Sequence, residues 1–175
     1  MSPPMHCAHA CANTGPPADT ACGAPVSCAR VRPGSLYNNI VQPSRLVAGA
    51  DFHVFKEGIE PKWEDPQCAT GGEWRAQVPK GDKKSLDSFW LSTLLALIGE
   101  QFKDGDSICG VVVSVRKSQD RVCLWTKNAP NEAVQLSIGT TFKQTLELPG
   151  SARLGFTTFD EQAKSGRKAR EKYGC

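Results

Sequence analysis

Hydrophobic residues recur every three to four positions in two stretches of the chain, which is the spacing of an amphipathic helix. The first stretch runs over residues 86–102, and Ser85 or Asp87 is positioned to cap its start. Leu91 and Leu95 widen its apolar face beyond one stripe, so this helix is either deeply buried or presents a patch to a partner helix. Periodicity alone favours burial.

A second helix is predicted over residues 131–146, with Asn131 as its cap and Val134, Ile138 and Phe142 on one stripe. Shorter segments that alternate, or that are rich in β-branched residues, predict strands. These segments cover residues 52–55, 74–78, 108–115, 121–127 and 154–158.

The strands at residues 108–115 and 121–127 are joined by a short polar connection, which predicts an antiparallel hairpin. Side chains alternate across a strand, so Val122 and Leu124 face one way while Arg121, Cys123 and Trp125 face the other. The hairpin therefore has one apolar face and one face with polar and aromatic side chains that can contact a ligand.

Residues 1–34 differ in composition from the rest of the chain. They hold six of the twelve prolines, four of the eight cysteines and a single acid, Asp19. No helical or strand period runs through them, so we expect a disordered tail there and one domain over residues 35–175. His6 and His9 lie near the cysteines, but the irregular spacings lack the paired pattern of structural zinc sites, and no metal site is predicted.

The formal net charge is +3, from 21 basic and 18 acidic residues, which is too mild to indicate nonspecific nucleic-acid binding. No apolar run reaches the length of a membrane span and the N-terminus lacks a signal-peptide core. We therefore expect a soluble protein of the cytoplasm, with the nucleus as a second compartment. The sequence has only three histidines, and it shows neither a Ser/His/Asp pattern nor a phosphate-binding loop. We therefore expect a protein that is not an enzyme and that binds no cofactor.

An indole next to a carboxylate, at Trp63 and Glu64, follows Pro61 and precedes the glycine pair at 71–72, which predicts a loop. A flat indole stacks on a nucleobase, and more strongly on a cationic one. An ionised carboxylate only accepts hydrogen bonds, so it selects the two adjacent donors of guanine's Watson–Crick edge. For an isolated pair the ordinary alternative, a buried tryptophan beside a solvated acid, is favoured.

Arg121 and Trp125 share one face of the hairpin, roughly 13 Å apart, and Arg116 enters it from the other side of the turn. An aromatic ring with two arginines suits a base attached to a phosphate chain, since Arg pairs with phosphate oxygens in bidentate fashion. The alternative is a surface hairpin with solvated charges.

Residues 164–172 carry five basic residues against one acid, which indicates either a basic flap beside a phosphate site or a solvated terminus.

Taken together, these segments resemble the eukaryotic translation initiation factor 4E family, which binds the 7-methylguanosine cap of messenger RNA, and they look closest to its plant members. The resemblance covers roughly residues 36–172. It is carried by LYNNI (36–40), ADFHVFKEGIEPKWEDPQCATGGEW (50–74), DSFWLSTLLALIGEQF (87–102), ICGVVVSVR (108–116), LWTKNAPNEAV (124–134) and KSGRKAR (164–170).

The resemblance implies an α+β fold, a curved antiparallel β-sheet backed by α-helices, with the cap bound on the concave side. Trp63 matches a tryptophan that stacks on the methylated guanine, Glu64 matches the carboxylate that reads N1 and N2, and Trp125 matches the tryptophan that touches the methyl group. Contacts to the phosphate chain match three basic residues: Arg116, Arg121 and Lys164.

On the convex side, the family binds an α-helical motif of the initiation factor 4G scaffold or of regulatory proteins, and Leu91, Leu95 and Gly99 fall on that surface. Viral genome-linked proteins, which exploit plant relatives, are a further candidate partner. Cys68 and Cys109 lie where plant members commonly have cysteines that bridge under oxidation, although reduced thiols are the expectation in the cytosol.

The chain departs from the family at several positions. No tryptophan precedes Trp63, so we expect the usual first strand and hairpin, with the second wall of the cap sandwich, to be missing. Base stacking is worth ~1–3 kcal/mol, so this loss lowers the expected cap affinity by roughly one to two orders of magnitude. Gly34 replaces a partner-surface tryptophan, Ser92 an acid that helps to hold the partner helix, and Glu73 a phosphate-facing base.

This N-terminus leads us to the hypothesis of an alternative transcript or an incorrect first exon, which sequencing of the expressed transcript tests. The sequence thus carries two functional expectations. One is a cap-binding translation initiation factor that recruits the 4G scaffold. The other is a cap-impaired isoform that acts as a protein-interaction competitor or regulator of translation.

Overall fold

The computed structural model describes residues 42–165 and 169–175, which form a six-stranded antiparallel sheet with helices packed against it. The strand order is β1–β3–β4–β2–β5–β6. In chain order the elements are β1 Asp51–Phe55, β2 Gly72–Val78, α1 Lys83–Ile98, β3 Ile108–Ser114, β4 Asp120–Thr126, α2 Glu132–Thr145, β5 Gly155–Thr158, α3 Phe159–Ser165 and β6 Tyr173–Gly174, with short 3-10 helices at Pro43–Arg45 and Gly105–Ser107. The curved antiparallel sheet with its helical backing confirms the expected α+β fold.

Two expectations concern residues outside these ranges: the tail over residues 1–34 and the missing first strand and hairpin. Within the ranges that are described, no helix has both the length and the apolar character needed to cross a membrane.

Helix α1 begins earlier than the sequence pattern predicts. Its N-cap is Asp82, whose carboxylate accepts a hydrogen bond from the backbone N–H of Ser85 at 3.1 Å. The assignment of the cap to Ser85 or Asp87 was therefore wrong, because capping depends on backbone geometry that periodicity does not report. Asp87 instead accepts a hydrogen bond from the backbone N–H of Ser44 at 2.9 Å, which ties the segment before β1 to the helix.

The helix-covered side of the sheet forms the larger of two hydrophobic clusters. In β4, Val122 and Leu124 point into it, opposite Val113 and Val111 of β3. The helices contribute large buried side chains to the same cluster: Leu86, Trp90, Leu94, Leu97, Ile138 and Phe142. The predicted hairpin and the alternation of β4 are confirmed, because Cys123 belongs to the other cluster.

The second cluster, called here the open-face cluster, lies on the side of the sheet that α1 and α2 leave uncovered. Its buried members are Phe55, Ile59, Cys68, Cys109, Val112, Cys123 and Phe159, with Trp125 packed against them. Two of them, Ile59 and Cys68, come from the long connection between β1 and β2, so this cluster fixes that connection onto the sheet.

Helix α2 is held to β4 by a buried polar side chain. Asn131 caps the helix as predicted, accepting a hydrogen bond from the backbone N–H of Val134 at 3.4 Å. One turn on, the amide of Gln135 accepts from the Thr126 hydroxyl at 2.9 Å and donates to the Lys127 carbonyl at 2.7 Å. These bonds satisfy the amide of a fully buried glutamine, which would otherwise destabilise the fold.

Gly139 of α2 leaves room for the fully buried indole of Trp74 in β2. A Cβ atom at position 139 would lie 2.5 Å from the Trp74 ring, which is far inside van der Waals contact. The closest approach of helix to sheet therefore depends on a residue with no side chain.

We expect Gly139→Ala to lower the free energy of unfolding by about 1–3 kcal/mol, because overpacking a buried ring outweighs the roughly 0.5–1 kcal/mol that alanine gains over glycine in a helix. Urea denaturation measures the change. The control Thr140→Ala lies at the adjacent exposed position and should stay within about 0.5 kcal/mol of wild type. Equal stability of the two variants would contradict the tight contact with Trp74.

Candidate functional site

The connection between β1 and β2 is organised by Asp65. Its carboxylate accepts hydrogen bonds from the backbone N–H groups of Glu60 at 3.0 Å and Gln67 at 2.8 Å. Its backbone carbonyl accepts from the N–H groups of Cys68 and Ala69, both at 2.8 Å. One residue therefore closes both ends of the turn, and the buried side chain of Cys68 anchors it to the open-face cluster.

Trp63 and Glu64 stand at the exposed tip of this connection. Trp63 is 44% exposed, one of three large hydrophobic side chains that are exposed among the described residues, and Glu64 is exposed beside it. The interpretation of Trp63 as a buried packing residue was wrong. An exposed indole on a well-anchored loop has the accessible face that stacking on a planar ligand requires.

The register of four strands arranges the open face in rows of side chains. Trp125 of β4 lies opposite Gly110 of β3 on one side and Glu73 of β2 on the other. The rows, read across β1, β3, β4 and β2, are Phe55, Gly110, Trp125 and Glu73; then His53, Val112, Cys123 and Arg75; then Asp51, Ser114, Arg121 and Gln77. The face is thus aromatic at one end and charged at the other.

Trp125 is held on three sides. Its ring centroid lies 4.4 Å from that of Phe159 and 5.2 Å, edge-on, from that of Phe55. Its indole N–H donates to Oε2 of Glu73 at 3.0 Å. The half-buried ring therefore has one orientation.

Arg116 is engaged within the protein. Both of its contacts with the Asp51 carboxylate measure 2.8 Å, and its other terminal nitrogen donates to the carbonyls of Ala50 and Val115 at 3.2 and 3.0 Å. The guanidinium therefore joins β1 to the end of β3. A phosphate at this position has to compete with Asp51, and the predicted contact of Arg116 with a phosphate chain stays a prediction.

Arg121 and the β3–β4 turn form the charged end of the face. Its Nε atom is buried without a hydrogen-bond partner in the part of the chain that the structure describes. Arg121 lines a groove of about 800 Å³, called here the basic groove, whose cationic lining is Arg75, Arg116, Lys117 and Arg121. Asp120 also lines it, but this buried carboxylate is occupied by Lys83 at 3.2 Å and by the backbone N–H of Arg116 at 2.9 Å.

Two further basic residues are His53, which lies on the open face, and Lys164, which was predicted from the resemblance. Burial lowers the pKa of His53, and the charge of Asp51 opposes this effect. Lys164 lies on the exposed surface of α3 and donates to Asp160 at 2.7 Å, a hydrogen bond that raises the pKa of the lysine. The structure does not bring Lys164 into the lining of the basic groove.

The predicted partner surface lies on α1. Leu95 is 57% exposed, Leu91 is half-buried, and Gly99 is exposed at the C-terminal cap of the helix. Burial, which periodicity alone favoured, is therefore wrong for Leu95. Leu95 is therefore accessible on a helix whose opposite face is packed, and the contact of this surface with a partner helix stays a prediction.

Cys68 and Cys109 are both buried thiols in the open-face cluster. A hydrogen bond between them lowers the pKa of Cys68 and raises that of Cys109, whose burial adds to the increase. The two sulfurs are thus neighbours in reduced form, and a disulfide between them under oxidation stays a prediction.

Several residues of the site were not identified from sequence as site residues. Asp51, Asp65 and Phe159 act through neighbours that are distant in the chain or through backbone groups, and no motif marks them. The acidic departure at Glu73 was visible in the sequence, but its contact with Trp125 requires the pairing of β2 with β4.

A family model for eukaryotic initiation factor 4E matches residues 34–173 of the chain. Eukaryotic translation initiation factor 4E-1 of barley, Hordeum vulgare subsp. vulgare, is 56% identical over 139 residues, which are 79% of this chain and 62% of the barley protein. Eukaryotic translation initiation factor isoform 4E of Nicotiana tabacum is 50% identical over 139 residues, covering 79% and 66% of the two chains. The chain spans less than two thirds of the length of each of these relatives.

Solved structures give the same answer for the fold. Ascaris suum eIF4E-3 in complex with the m7G cap superposes with a TM-score of 0.84 at 35% identity, covering 99% of this chain and 98% of that one. C. elegans eIF4E-3 in complex with the 4E-binding protein Mextli and cap analog superposes with a TM-score of 0.79 at 38% identity, covering 88% and 86%.

We expect Asp65→Ala to loosen the β1–β2 connection, because two backbone N–H groups lose their acceptor. The free energy of unfolding should fall by roughly 1–2 kcal/mol, and amide hydrogen exchange should rise at Glu60 and Gln67. Glu57→Ala, a change of an exposed acid in the same connection, is the control and should leave exchange at these amides unchanged. Unaltered exchange in Asp65→Ala would contradict the organising role of this carboxylate.

Proposed function

Since the chain belongs to the eukaryotic initiation factor 4E family, we propose that it binds the 7-methylguanosine cap of messenger RNA and acts in translation initiation. The observation that carries the proposal is the exposed indole of Trp63 next to the exposed Glu64, on a loop that Asp65 and the open-face cluster hold rigid. A rigid presentation reduces the ordering cost of binding.

In this proposal Trp63 stacks on the methylated base, whose positive charge strengthens the contact with the electron-rich ring. Glu64 accepts hydrogen bonds from N1–H and the exocyclic amine of guanine. Trp125 contacts the methyl group from the face of the sheet, and its fixed orientation supports that role.

The basic groove receives the phosphate chain. Arg121 is the strongest candidate, because it lines the groove and no ion pair within the described residues engages its guanidinium. Arg116 adds positive charge to the groove but does not donate hydrogen bonds to the phosphate chain, because its guanidinium already binds Asp51. Lys164 would have to leave Asp160 to reach a phosphate, which exposed ion pairs permit at small energetic cost.

The second surface, on α1, supports a protein-interaction function. We propose that Leu95 and Leu91, with Gly99, dock a helical motif of the factor 4G scaffold or of a regulatory protein, since Leu95 is exposed and Leu91 is half-buried on a helix whose opposite face is packed. The competitor role is the second candidate function, since the exposed Leu95 lies on α1 and not on the loop that carries Trp63 and Glu64. We also propose a viral genome-linked protein as a further partner of this chain. The proposed locations of the chain are the cytoplasm and the nucleus.

Cap binding is tested by quenching of tryptophan fluorescence with 7-methyl-GTP, with GTP as the unmethylated control. Wild type should be quenched selectively by the methylated nucleotide. Trp63→Ala should weaken binding by roughly tenfold, as expected for ~1–3 kcal/mol of stacking, and Glu64→Gln should reduce the preference for guanine over adenine. Glu57→Gln, in the same loop, should bind like wild type. A folded wild-type protein without methyl selectivity would refute the cap-binding proposal.

Partner docking is tested with a peptide that carries the helical motif of a plant factor 4G, by isothermal titration calorimetry. Leu95→Glu should weaken binding at least tenfold, because it puts a charge into an apolar contact. Thr140→Glu introduces the same side chain at an exposed position of α2, outside the proposed docking surface, and should leave binding within twofold. Equal affinity of both variants would mean that Leu95 lies outside the docking surface.

A further inference from the structure

Glu73 is a buried carboxylate that joins the aromatic and charged ends of the open face. Only 6% of the residue is exposed. Its Oε2 accepts the indole N–H of Trp125 at 3.0 Å, while its Oε1 accepts from Nε of Arg75 at 3.2 Å and from Nη2 of the same guanidinium. All three bonds come from groups that face the candidate ligand site.

The geometry of β2 brings these groups together. Glu73 and Arg75 are two residues apart in a strand, so they lie on the same face, and their partners across the ladder are Trp125 and Cys123. A buried carboxylate without partners is strongly unfavourable, and Arg75 supplies Glu73 with a counter-charge while the indole N–H supplies a further hydrogen bond.

Arg75 is partly exposed and lines the basic groove with Arg121. A guanidinium carries five N–H donors in a planar fork, and Nε with one N–H of Nη2 serve Glu73. Donors therefore remain on the edge of Arg75 for a second anion. Arg116 is in the opposite situation, since Asp51 and two backbone carbonyls occupy its terminal nitrogens.

We propose that Glu73 and Arg75 act as one unit, in which Glu73 is a positioning residue that orients the Trp125 indole and Arg75 is a phosphate-binding residue of the same site. This inference rests on the proposed function for the base, while its phosphate half stands independently. The unit links recognition of the methylated base to recognition of the phosphate chain through a single carboxylate.

The charges of the unit give predictions of opposite sign. Arg75→Gln leaves the Glu73 carboxylate uncompensated beside the groove, so it should repel phosphate. Glu73→Gln keeps an acceptor oxygen for the indole but removes the negative charge that offsets Arg75. This variant should therefore bind phosphate more strongly. A salt bridge that served stability alone would lose stability in both variants and would change the affinities for nucleoside and nucleotide in parallel.

The experiment compares binding of 7-methylguanosine and 7-methyl-GTP to the full chain, using the ratio of the two affinities as the readout. Arg75→Gln should lower this ratio about tenfold through the triphosphate alone, and Glu73→Gln should raise it about threefold. Glu73→Ala, which removes the acceptor, should weaken 7-methylguanosine binding and move the Trp125 indole N–H resonance of the unliganded protein. Arg153→Gln removes an arginine from an ion pair with Glu171 outside the groove and is the matched control, with an unchanged ratio.

Inorganic tripolyphosphate separates the failure of this inference from that of the proposed function. Weaker tripolyphosphate binding by Arg75→Gln than by Arg153→Gln supports the phosphate role even if wild type shows no methyl selectivity, a result that would overturn cap binding itself. Equal tripolyphosphate binding by the two variants overturns the role of Arg75. An unmoved Trp125 resonance in folded Glu73→Ala overturns the positioning role of Glu73.

Discussion

The pairing of β4 with β3 on one side and β2 on the other is the constraint on which the site depends. Val122 and Leu124 are fully buried between the sheet and the helices, so a slip of one residue in register would expel them from the core. The same register places Arg121 and Trp125 on the open face and sets Glu73 opposite Trp125. The hydrophobic energy of one face therefore fixes the geometry of the other.

Carboxylates organise the cations of the open face. Asp51 holds Arg116, and Glu73 holds Arg75. Each pair limits the rotamers of a long side chain, so an anionic ligand meets groups whose ordering cost has already been met by folding. The two arginines differ in the N–H donors that remain for a ligand. Arg116 uses its terminal nitrogens on acceptors within the protein, so it can act on an anion only through its charge, whereas Arg75 keeps donors that can form hydrogen bonds.

The two large apolar side chains of functional interest are exposed on different parts of the molecule. Trp63 projects from a loop that is fixed to the open-face cluster, and Leu95 projects from a helix whose opposite side packs into the main core. Each exposed residue is supported by buried neighbours in its own element. The proposed surfaces for the cap and for a protein partner are therefore on separate elements of the molecule.

The sequence by itself determined the elements, because helical and strand periods are local: the two main helices, the β3–β4 hairpin and the alternation of β4 follow from spacing within a few residues. Motifs along the chain determined the family and marked Trp63, Glu64 and Trp125 as candidate site residues. Tertiary structure alone decided which groups meet. The bond between Glu73 and Trp125 spans 52 positions and that between Asp51 and Arg116 spans 65, distances over which no local pattern operates. Tertiary structure also decided that Leu95 is exposed. The spacing of apolar residues defines a helix face, but whether that face is buried depends on what packs against it.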